Sequence, residues 1–235
     1  MRILALDSSG MVASVAIVEE DQMIAEYTVN YKKTHSQTLL PMLDEIIKMT
    51  QIDLSTIDGI AISSGPGSFT GLRIGSTTAK GLGFALKKPL ISIPTVDALA
   101  YNLYGNHQYI CPIMDARRNQ VYTGLYEFID GQLNVVKEQR AIGIDQLAEE
   151  LNELKREVIF IGDGIPPYAS ILKETLTVPF SFAPAHLCRQ RAGAVGMLGI
   201  EYWKSGKIQS AEEHKPEYLR LSQAERELME KERQQ

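Results

Sequence analysis

The apolar and polar positions along the first half of the chain predict strands and helices in the order βββαβαβα. Short apolar runs between turn residues indicate the strands, and apolar residues that recur every three or four positions indicate the helices. The predicted strands span 3–7, 12–18, 23–31, 59–63 and 90–93, and the predicted helices span 37–49, 70–86 and 96–104.

The same order begins again near residue 109, which indicates a duplicated architecture. The predicted strands of this half span 109–115, 121–128, 133–139, 158–162 and 178–182, and its predicted helices span 145–154, 168–174 and 189–204. We expect an α/β fold of two pseudo-symmetric βββαβαβα lobes, an architecture that resembles the actin-like ATPases and sugar kinases. The predicted lobes are 1–104 and 105–210, and the C-terminal segment 211–235 is expected to pack back on the N-terminal lobe.

The composition is typical of a soluble globular protein, with 44% hydrophobic and 23% charged residues. No apolar run approaches the ~18 residues of a membrane span, so we expect no membrane contact. The two cysteines, Cys111 and Cys188, lack a C-x-x-C spacing, which favours a reduced, cytoplasmic location. A net charge of −5 argues against a broad basic surface, so any RNA contact would be local or shared with a partner.

The stretch "SSGPGSFTGLRIGSTTAKGLG" at 63–83 raises the question of a phosphate site. It is not a P-loop, because no lysine follows the glycines at the required spacing. Gly65, Gly67 and Gly71 are one residue too widely spaced for a dinucleotide fingerprint. The pattern fits a turn at 65–67 followed by a helix with Ser68 or Thr70 as N-cap. The amides at the helix start could hold an anion, and a plain turn is the alternative.

An aspartate ends the first predicted strand of each lobe. Asp7 precedes a Ser8-Ser9-Gly10 turn, and Asp7 and Ser8 together with Gly65 and Gly67 predict a weak, vestigial nucleotide site. The alternative is that Asp7 caps its own turn. In the second lobe, Arg117 and Arg118 follow Asp115; they would serve phosphate or a partner carboxylate, or belong to an exposed hairpin.

Small residues recur every four positions along the helix predicted at 70–86 and predict a close helix contact. The helix predicted at 37–49 carries more apolar residues than one buried stripe needs. We predict that the two helices form an interface with another subunit, and packing inside the lobe is the alternative. The predicted interface residues are Leu39, Leu43, Ile46, Gly71, Gly75, Ala79 and Gly83.

The residue types of a self-sufficient active site do not occur together in recognisable motifs. His35, His107, His186 and His214 are scattered, without the helical spacing of a metal pair. No serine lies in a G-x-S-x-G motif, and neither cysteine has the context of a nucleophile. We therefore expect neither a metal centre nor a catalytic residue.

Several motifs together resemble the bacterial TsaB family, also called YeaZ. They are "MRILALDSS", "HSQTLLPML", "GPGSFTGLRIG", "DAR" at 115–117 and "PEYLR" at 216–220. The family is similar to the TsaD enzymes, which transfer a threonylcarbamoyl group from its adenylate to an adenosine of tRNA. Where TsaD proteins carry a metal-binding H-x-x-x-H, this chain has Asp97 and Tyr101.

The resemblance implies a non-catalytic subunit that acts with a TsaD-like catalytic subunit and a TsaE-like ATPase. It implies contact with tRNA only through the complex, a homodimer when alone, and no cofactor beyond weak ATP or ADP binding. An independent nucleotide-dependent enzyme of actin-like fold, such as a kinase or a peptidase, is the alternative. A homodimeric scaffold unrelated to tRNA is a third option.

Overall fold

A computed structural model of the chain describes residues 1–31 and 35–220. Within those residues it contains two five-stranded mixed sheets, one in each lobe. No helix in the described part of the chain is long and apolar enough to cross a membrane.

The first sheet has the strand order β3-β2-β1-β4-β5. Its strands are β1 (Arg2–Asp7), β2 (Ala13–Glu19), β3 (Met23–Val29), β4 (Gly59–Gly65) and β5 (Leu90–Pro94), and the helices of this half are α1 (Leu39–Thr50), α2 (Phe69–Leu86) and α3 (Thr95–Tyr101). In the register of β1, Ala5 lies opposite Ala16 of the antiparallel β2 and opposite Ala61 of the parallel β4.

The second sheet repeats this arrangement with the order β10-β9-β6-β7-β8. Its strands are β6 (Tyr109–Asp115), β7 (Gln120–Ile129), β8 (Gln132–Gly143), β9 (Val158–Ile161) and β10 (Phe180–Phe182), and the helices of this half are α4 (Ile144–Leu154), α5 (Ile165–Thr175) and α6 (Ala192–Lys204). The helix predicted at 168–174 begins earlier, at Ile165, because Pro166 and Pro167 are tolerated in the first turn of a helix.

Both faces of the first sheet are covered, which explains the unbroken apolar run of β1. Leu4 and Leu6 pack in one cluster with residues of α1 and α2. Ile3 and Ala5 point to the opposite face and pack in another cluster with residues of α6. All four side chains are fully buried, so β1 forms the centre of the lobe.

The two halves of the chain exchange helices, which the boundary predicted at 104/105 does not anticipate. α6 belongs to the second half of the sequence but packs on β1 and β2 of the first sheet. α3 belongs to the first half but packs on β6 and β7 of the second sheet. The division at 104/105 separates the strands of the two sheets, whereas α6, which lies within 105–210 in the sequence, packs on the first sheet.

The small-residue line of α2 faces the interior of its own lobe. A Cβ atom on Gly71 would overlap the carbonyl oxygen of Ser8, and one on Gly75 would overlap the Ser8 hydroxyl. A Cβ atom on Gly83 would lie 3.0 Å from the Cβ atom of Ala211, and Ala79 is fully buried.

The predicted interface residues of α1 are buried as well. Leu39, Leu43 and Ile46 lie in the core cluster of the first lobe. All seven predicted interface residues are buried within this chain, so the packing alternative accounts for them here, and their part in an interface with another subunit stays a prediction.

The segment that follows α6 runs back over the first lobe and reaches the second. Gln209 bridges to Leu90 of β5, and the His214 Nδ1 atom lies 2.8 Å from Ser92 Oγ. The Glu217 N–H donates to the Ser64 carbonyl at 2.7 Å, and Arg220 donates to the Ala116 carbonyl in the second lobe. We call residues 209–220 the C-terminal strap. The rest of the segment predicted at 211–235, from 221 onward, lies outside the described residues.

Candidate functional site

A cavity of about 610 Å³ lies between the two lobes. It is bounded by the turn after β1, the start of α2, and the turn between β6 and β7. Its lining includes Ser9, Gly67, Phe69, Asp115, Arg117 and Arg220. This cleft is where the pseudo-symmetric turns of the two lobes meet, and it is the candidate functional site.

Asp7 does not belong to the lining of the cleft. Its Oδ1 accepts hydrogen bonds from the Ser9 N–H at 2.9 Å and the Ser9 hydroxyl at 2.7 Å, and its Oδ2 accepts one from the Ser63 hydroxyl at 2.5 Å. Burial raises the pKa of the Asp7 carboxyl, and these bonds oppose that effect. Asp7 therefore caps its own turn, which is the alternative that the sequence left open.

Ser8, Gly65 and Gly67 are also engaged by the chain itself. The Ser8 hydroxyl donates to the Gly71 carbonyl at 2.8 Å. Gly65 has a φ of +124°, and a Cβ atom there would overlap the Glu217 carbonyl of the C-terminal strap. A Cβ atom on Gly67 would overlap the Ser9 carbonyl. Of the four residues predicted for a nucleotide site, Gly67 alone lines the cleft, so the structure does not assemble that site as predicted.

The start of α2 is capped by Ser68, one of the two N-caps that the sequence offers. The Ser68 Oγ accepts the Gly71 N–H at 3.3 Å, and the Ser68 N–H donates to the Ser9 carbonyl at 2.7 Å. Ser68 Oγ thus satisfies one free amide of the first turn of α2, and the Ser9 carbonyl fixes the position of the cap residue. Both contacts stabilise the start of the helix.

On the opposite wall, Asp115 ends β6 and accepts hydrogen bonds at Oδ1 from the Arg117 N–H at 2.8 Å and the Tyr168 hydroxyl at 3.1 Å. The neighbouring Asp163 accepts the Asp115 N–H at 3.0 Å, and burial raises the pKa of the Asp163 carboxyl. Asp163 belongs to the "IGDG" sequence after β9. This wall thus combines two carboxyl groups with the Arg117 guanidinium, which lies 3.2 Å from Asp115 Oδ2.

The turn between β6 and β7 has an unfavourable backbone. Arg117, Arg118 and Asn119 have φ angles of 65°, 58° and 56°. This left-handed conformation costs a residue with a Cβ atom ~1 kcal/mol or more, and asparagine tolerates it better than arginine. The Asn119 carbonyl accepts the Ile144 N–H at 3.0 Å, which ties the turn to the start of α4. The exposed hairpin predicted for the two arginines is present, and both side chains are exposed.

Asp97 and Tyr101 lie on α3 and are not among the residues that line the cleft. Asp97 accepts hydrogen bonds from the Tyr126 hydroxyl at 2.7 Å and the Tyr202 hydroxyl at 3.2 Å, and Tyr101 donates to Glu201 at 2.7 Å. Burial raises the pKa of the Asp97 carboxyl to about 6. Both carboxylate oxygens are thus held by phenols, and residues 1–31 and 35–220 contain no group of three or more His, Cys, Asp or Glu side chains suited to a metal ion.

Two features of the site have no signal in the local sequence pattern. The rings of Phe69 and Tyr218 stack with centroids 4.5 Å apart, although they are far apart along the chain. Gln190, beside Gly10, is buried, and neither atom of its amide has a hydrogen-bond partner among the described residues. Only long-range packing brings Tyr218 to Phe69 and Gln190 to Gly10, two residues that line the cleft.

Comparison with known proteins identifies relatives over most of the chain. A family profile described as "TsaD: tRNA N6-adenosine threonylcarbamoyltransferase" matches residues 22–228. The tRNA threonylcarbamoyladenosine biosynthesis protein TsaB of Bacillus subtilis is 34% identical over 229 residues, which cover 96% of each chain. The protein of the same name from Escherichia coli is 27% identical over 235 residues, covering 99% of this chain and 100% of that one.

Solved structures agree on the fold. YeaZ from Pseudomonas aeruginosa superposes with a TM-score of 0.80 at 28% sequence identity, covering 93% of this chain and 99% of that one. A ROK hexokinase from Thermus thermophilus superposes with a TM-score of 0.50 at 10% identity, over 88% and 100% of the two chains. The second likeness concerns the fold alone and confirms the predicted architecture of actin-like ATPases and sugar kinases.

Proposed function

The chain belongs to the TsaB family of tRNA threonylcarbamoyladenosine biosynthesis proteins, and we propose that it acts there as a non-catalytic partner subunit. The threonylcarbamoyl group is attached to N6 of an adenosine in tRNA by the enzyme that the matching profile describes. The proposed role of this chain is to bind a TsaD-like catalytic subunit and to work with a TsaE-like ATPase, with tRNA contacted within that complex.

The observation that supports this role is that residues predicted for a nucleotide site make contacts within the chain instead. Asp7 is held by Ser9 and Ser63, and Gly65 is pressed against the strap. An aspartate that positions a metal ion or phosphate must present an oxygen to the cleft, whereas Asp7 is 1% exposed. Weak ATP or ADP binding would therefore depend on other residues of the cleft and would not support turnover.

Asp97 and Tyr101 give the same indication on α3. They stand where the resemblance places the metal-binding histidines of the catalytic relatives. Asp97 accepts a buried hydrogen bond from the Tyr126 phenol, and Tyr101 donates a partly buried one to the Glu201 carboxylate. A carboxylate already bound by two phenols is a poor metal ligand, because coordination would leave those buried hydroxyls unsatisfied. These residues support a structural role.

The outer faces of α1 and α2 are the proposed surface for the catalytic partner, and for a second copy when the chain is alone. Leu40, Met49 and Phe84 are more than half exposed on these helices. Gly81 lies on the outer side of α2 with nothing within 4 Å of its Cβ position. Since an exposed glycine weakens a helix without any gain inside the lobe, a close approach of another backbone is a physical reason for it.

The test is reconstitution with purified components. An unmodified tRNA transcript and threonylcarbamoyl-adenylate are combined with TsaD-like and TsaE-like proteins, with or without this chain, and the modified nucleoside is measured by mass spectrometry. We expect modification to require the chain, and the chain alone to give none. Modification by the chain alone, or ATP hydrolysis by the chain with magnesium at enzyme-like rates, would instead support the alternative of an independent enzyme.

A further inference from the structure

Four arginines and two aromatic rings lie in the lining of the interlobe cleft or directly beside residues that line it. We call them the arginine–tyrosine rim, defined as Phe69, Arg73, Arg117, Arg118, Tyr218 and Arg220. We infer that this rim binds a single-stranded segment of RNA, with phosphates on the arginines and an unpaired base on Tyr218 or Arg73. That the RNA is a tRNA rests on the proposed function; the rim itself rests on the contacts below.

The aromatic part of the rim is preformed. Phe69 and Tyr218 are parallel to within 6° with centroids 4.5 Å apart, and Tyr218 is 38% exposed. The Arg73 guanidinium lies 5.9 Å from the centre of the Tyr218 ring, and its Nε donates to the Tyr218 hydroxyl at 3.3 Å. Exposed tyrosine rings and flat guanidinium groups are the surfaces on which unpaired bases stack.

The cationic part comes from both lobes. Arg117 and Arg220 line the cleft together with Phe69, so the guanidinium groups and the ring stack share one opening. Arg220 donates to the Ala116 carbonyl, and this bond holds the strap and Tyr218 against the turn that carries Arg117 and Arg118. The Arg117 side chain is 86% exposed, and among residues 1–31 and 35–220 it forms one ion pair, with Asp115.

The backbone of that turn provides an independent reason to assign a role to its arginines. Positions 117 and 118 both have a left-handed backbone, which glycine adopts without the Cβ clash, yet both carry a long cationic side chain. Residues in sparsely populated backbone conformations cluster at functional sites, where stability is given up for a placed side chain. Both arginines are exposed, so burial of their side chains does not offset this cost.

Carboxylates near the rim limit its affinity for RNA, which is consistent with a local contact. Asp115 pairs with Arg117, Asp163 is mostly buried behind it, and Glu217 is held by the Gln139 side chain at 2.9 Å. In a chain with a net charge of −5, we expect binding to be weak at physiological salt and to grow as salt is lowered. An acidic peptide would use the arginines alone and would not need the exposed ring, so the stack favours RNA.

The test removes the two arginines without straining the fold. Binding of a fluorescein-labelled 12-nucleotide single-stranded RNA, and of an unmodified tRNA transcript, is measured by anisotropy from 20 to 200 mM salt with the full chain. Arg117→Gly/Arg118→Gly is expected to weaken binding at least about tenfold at low salt and to reduce the slope of log K against log salt by about 1.4. Its melting temperature should be unchanged or higher.

A matched control removes two exposed lysines that also have left-handed backbones. Lys87 and Lys155 both have positive φ angles and lie at the ends of α2 and α4. Lys87→Gly/Lys155→Gly therefore makes the same change in charge and backbone, and we expect it to leave RNA affinity within about twofold. An equal loss in both double variants would overturn the rim, because it would show a diffuse charge effect.

The aromatic contact is tested at Tyr218. Tyr218→Phe should bind RNA within about twofold of the unmodified chain, and Tyr218→Leu should bind at least about fivefold more weakly, as for the loss of one stacked base. Equal RNA affinities of the Tyr218→Leu and Tyr218→Phe variants would contradict stacking, and poly-glutamate that competes as well as RNA at equal charge would assign the rim to an acidic protein instead.

If reconstituted tRNA modification requires the chain but Arg117→Gly/Arg118→Gly behaves like the wild type in binding, the rim fails and the proposed function stands. If Arg117→Gly/Arg118→Gly loses RNA binding but tRNA modification does not depend on the chain, the rim stands and the proposed function fails.

Discussion

The Ser8 hydroxyl group fills the space in which a side chain on Gly75 would stand. The turn that follows β1 thereby packs closely against the backbone of the helix that follows β4, and the hydrogen bond from the Ser8 hydroxyl to the Gly71 carbonyl links them directly. Gly71 and Gly75 of α2 are explained by this contact, which closes the turn after β1 against that helix.

Gly75→Ala is expected to destabilise the protein. The added methyl group overlaps Ser8 and presses on Ile62, and overpacking of this kind costs ~1 to 3 kcal/mol. For a chain of this size the melting temperature should fall by roughly 2 to 12 °C. Gly81→Ala, on the exposed side of the same helix, is the matched control and should stabilise the isolated chain by ~0.5 to 1 kcal/mol. A stable Gly75→Ala variant would show that the turn after β1 can move away from α2.

A substitution on the outer face of α2 should leave the stability of the isolated chain unchanged but weaken its association with a partner. Phe84→Asp is expected to change the free energy of unfolding by less than ~0.5 kcal/mol, since the Phe84 ring is exposed, and to weaken association with the catalytic subunit at least about thirtyfold. Ile129→Asp, at the exposed end of β7, should leave association unchanged. Thermal melts together with sedimentation of mixtures measure both effects. Association that survives Phe84→Asp would remove the proposed surface.

Asp97 should make the protein less stable as the pH rises from about 4 to about 6. Burial raises the pKa of the folded carboxyl to about 6, above its ordinary value of 3.8, so the unfolded chain loses this proton first. Asp97→Asn removes the effect. Its free energy of unfolding relative to that of the wild type should therefore rise across this pH range, by at most about 3 kcal/mol. Urea unfolding at pH 4 to 7 measures it, with the exposed Asp21→Asn as control. A difference that does not change with pH would show that folding does not raise the pKa of the Asp97 carboxyl.

His214 should act in the opposite direction over a similar range. Burial lowers the pKa of its imidazole to about 4 from an ordinary value of 6.5, so the unfolded chain takes up the proton first as the pH falls. Stability should therefore be present above about pH 6.5 and be lost as the pH falls towards 4. His214→Gln keeps a polar partner for Ser92 without titrating, and the slope should disappear. Unfolding of the Asp97→Asn chain with and without His214→Gln isolates this effect; equal slopes would assign the pH dependence to other groups.

Much of the fold could be predicted because the hydrophobic pattern is local. Leu4 and Leu6 alternate with Ile3 and Ala5, and this alternation marks β1 as a strand buried on both faces before any partner is known. Ser68 is likewise recognisable as a helix cap from its neighbours. The role of the small-residue line could not be fixed from the sequence, because such a line looks the same whether it meets its own lobe, as Gly75 does, or another chain.

By itself, the sequence determined the order of strands and helices, their repetition in two lobes, and the motifs that identify the family. These properties depend on residues within about one helix or strand of each other, so the periodicity and turn chemistry of a short window specify them. The tertiary structure alone decided that α3 and α6 exchange sheets, that the Ser8 turn closes on α2, and that the strap carries Tyr218 to Phe69 and the cleft. Those outcomes depend on the volume left between backbones far apart in the chain, and no local pattern of apolar and polar residues encodes that volume.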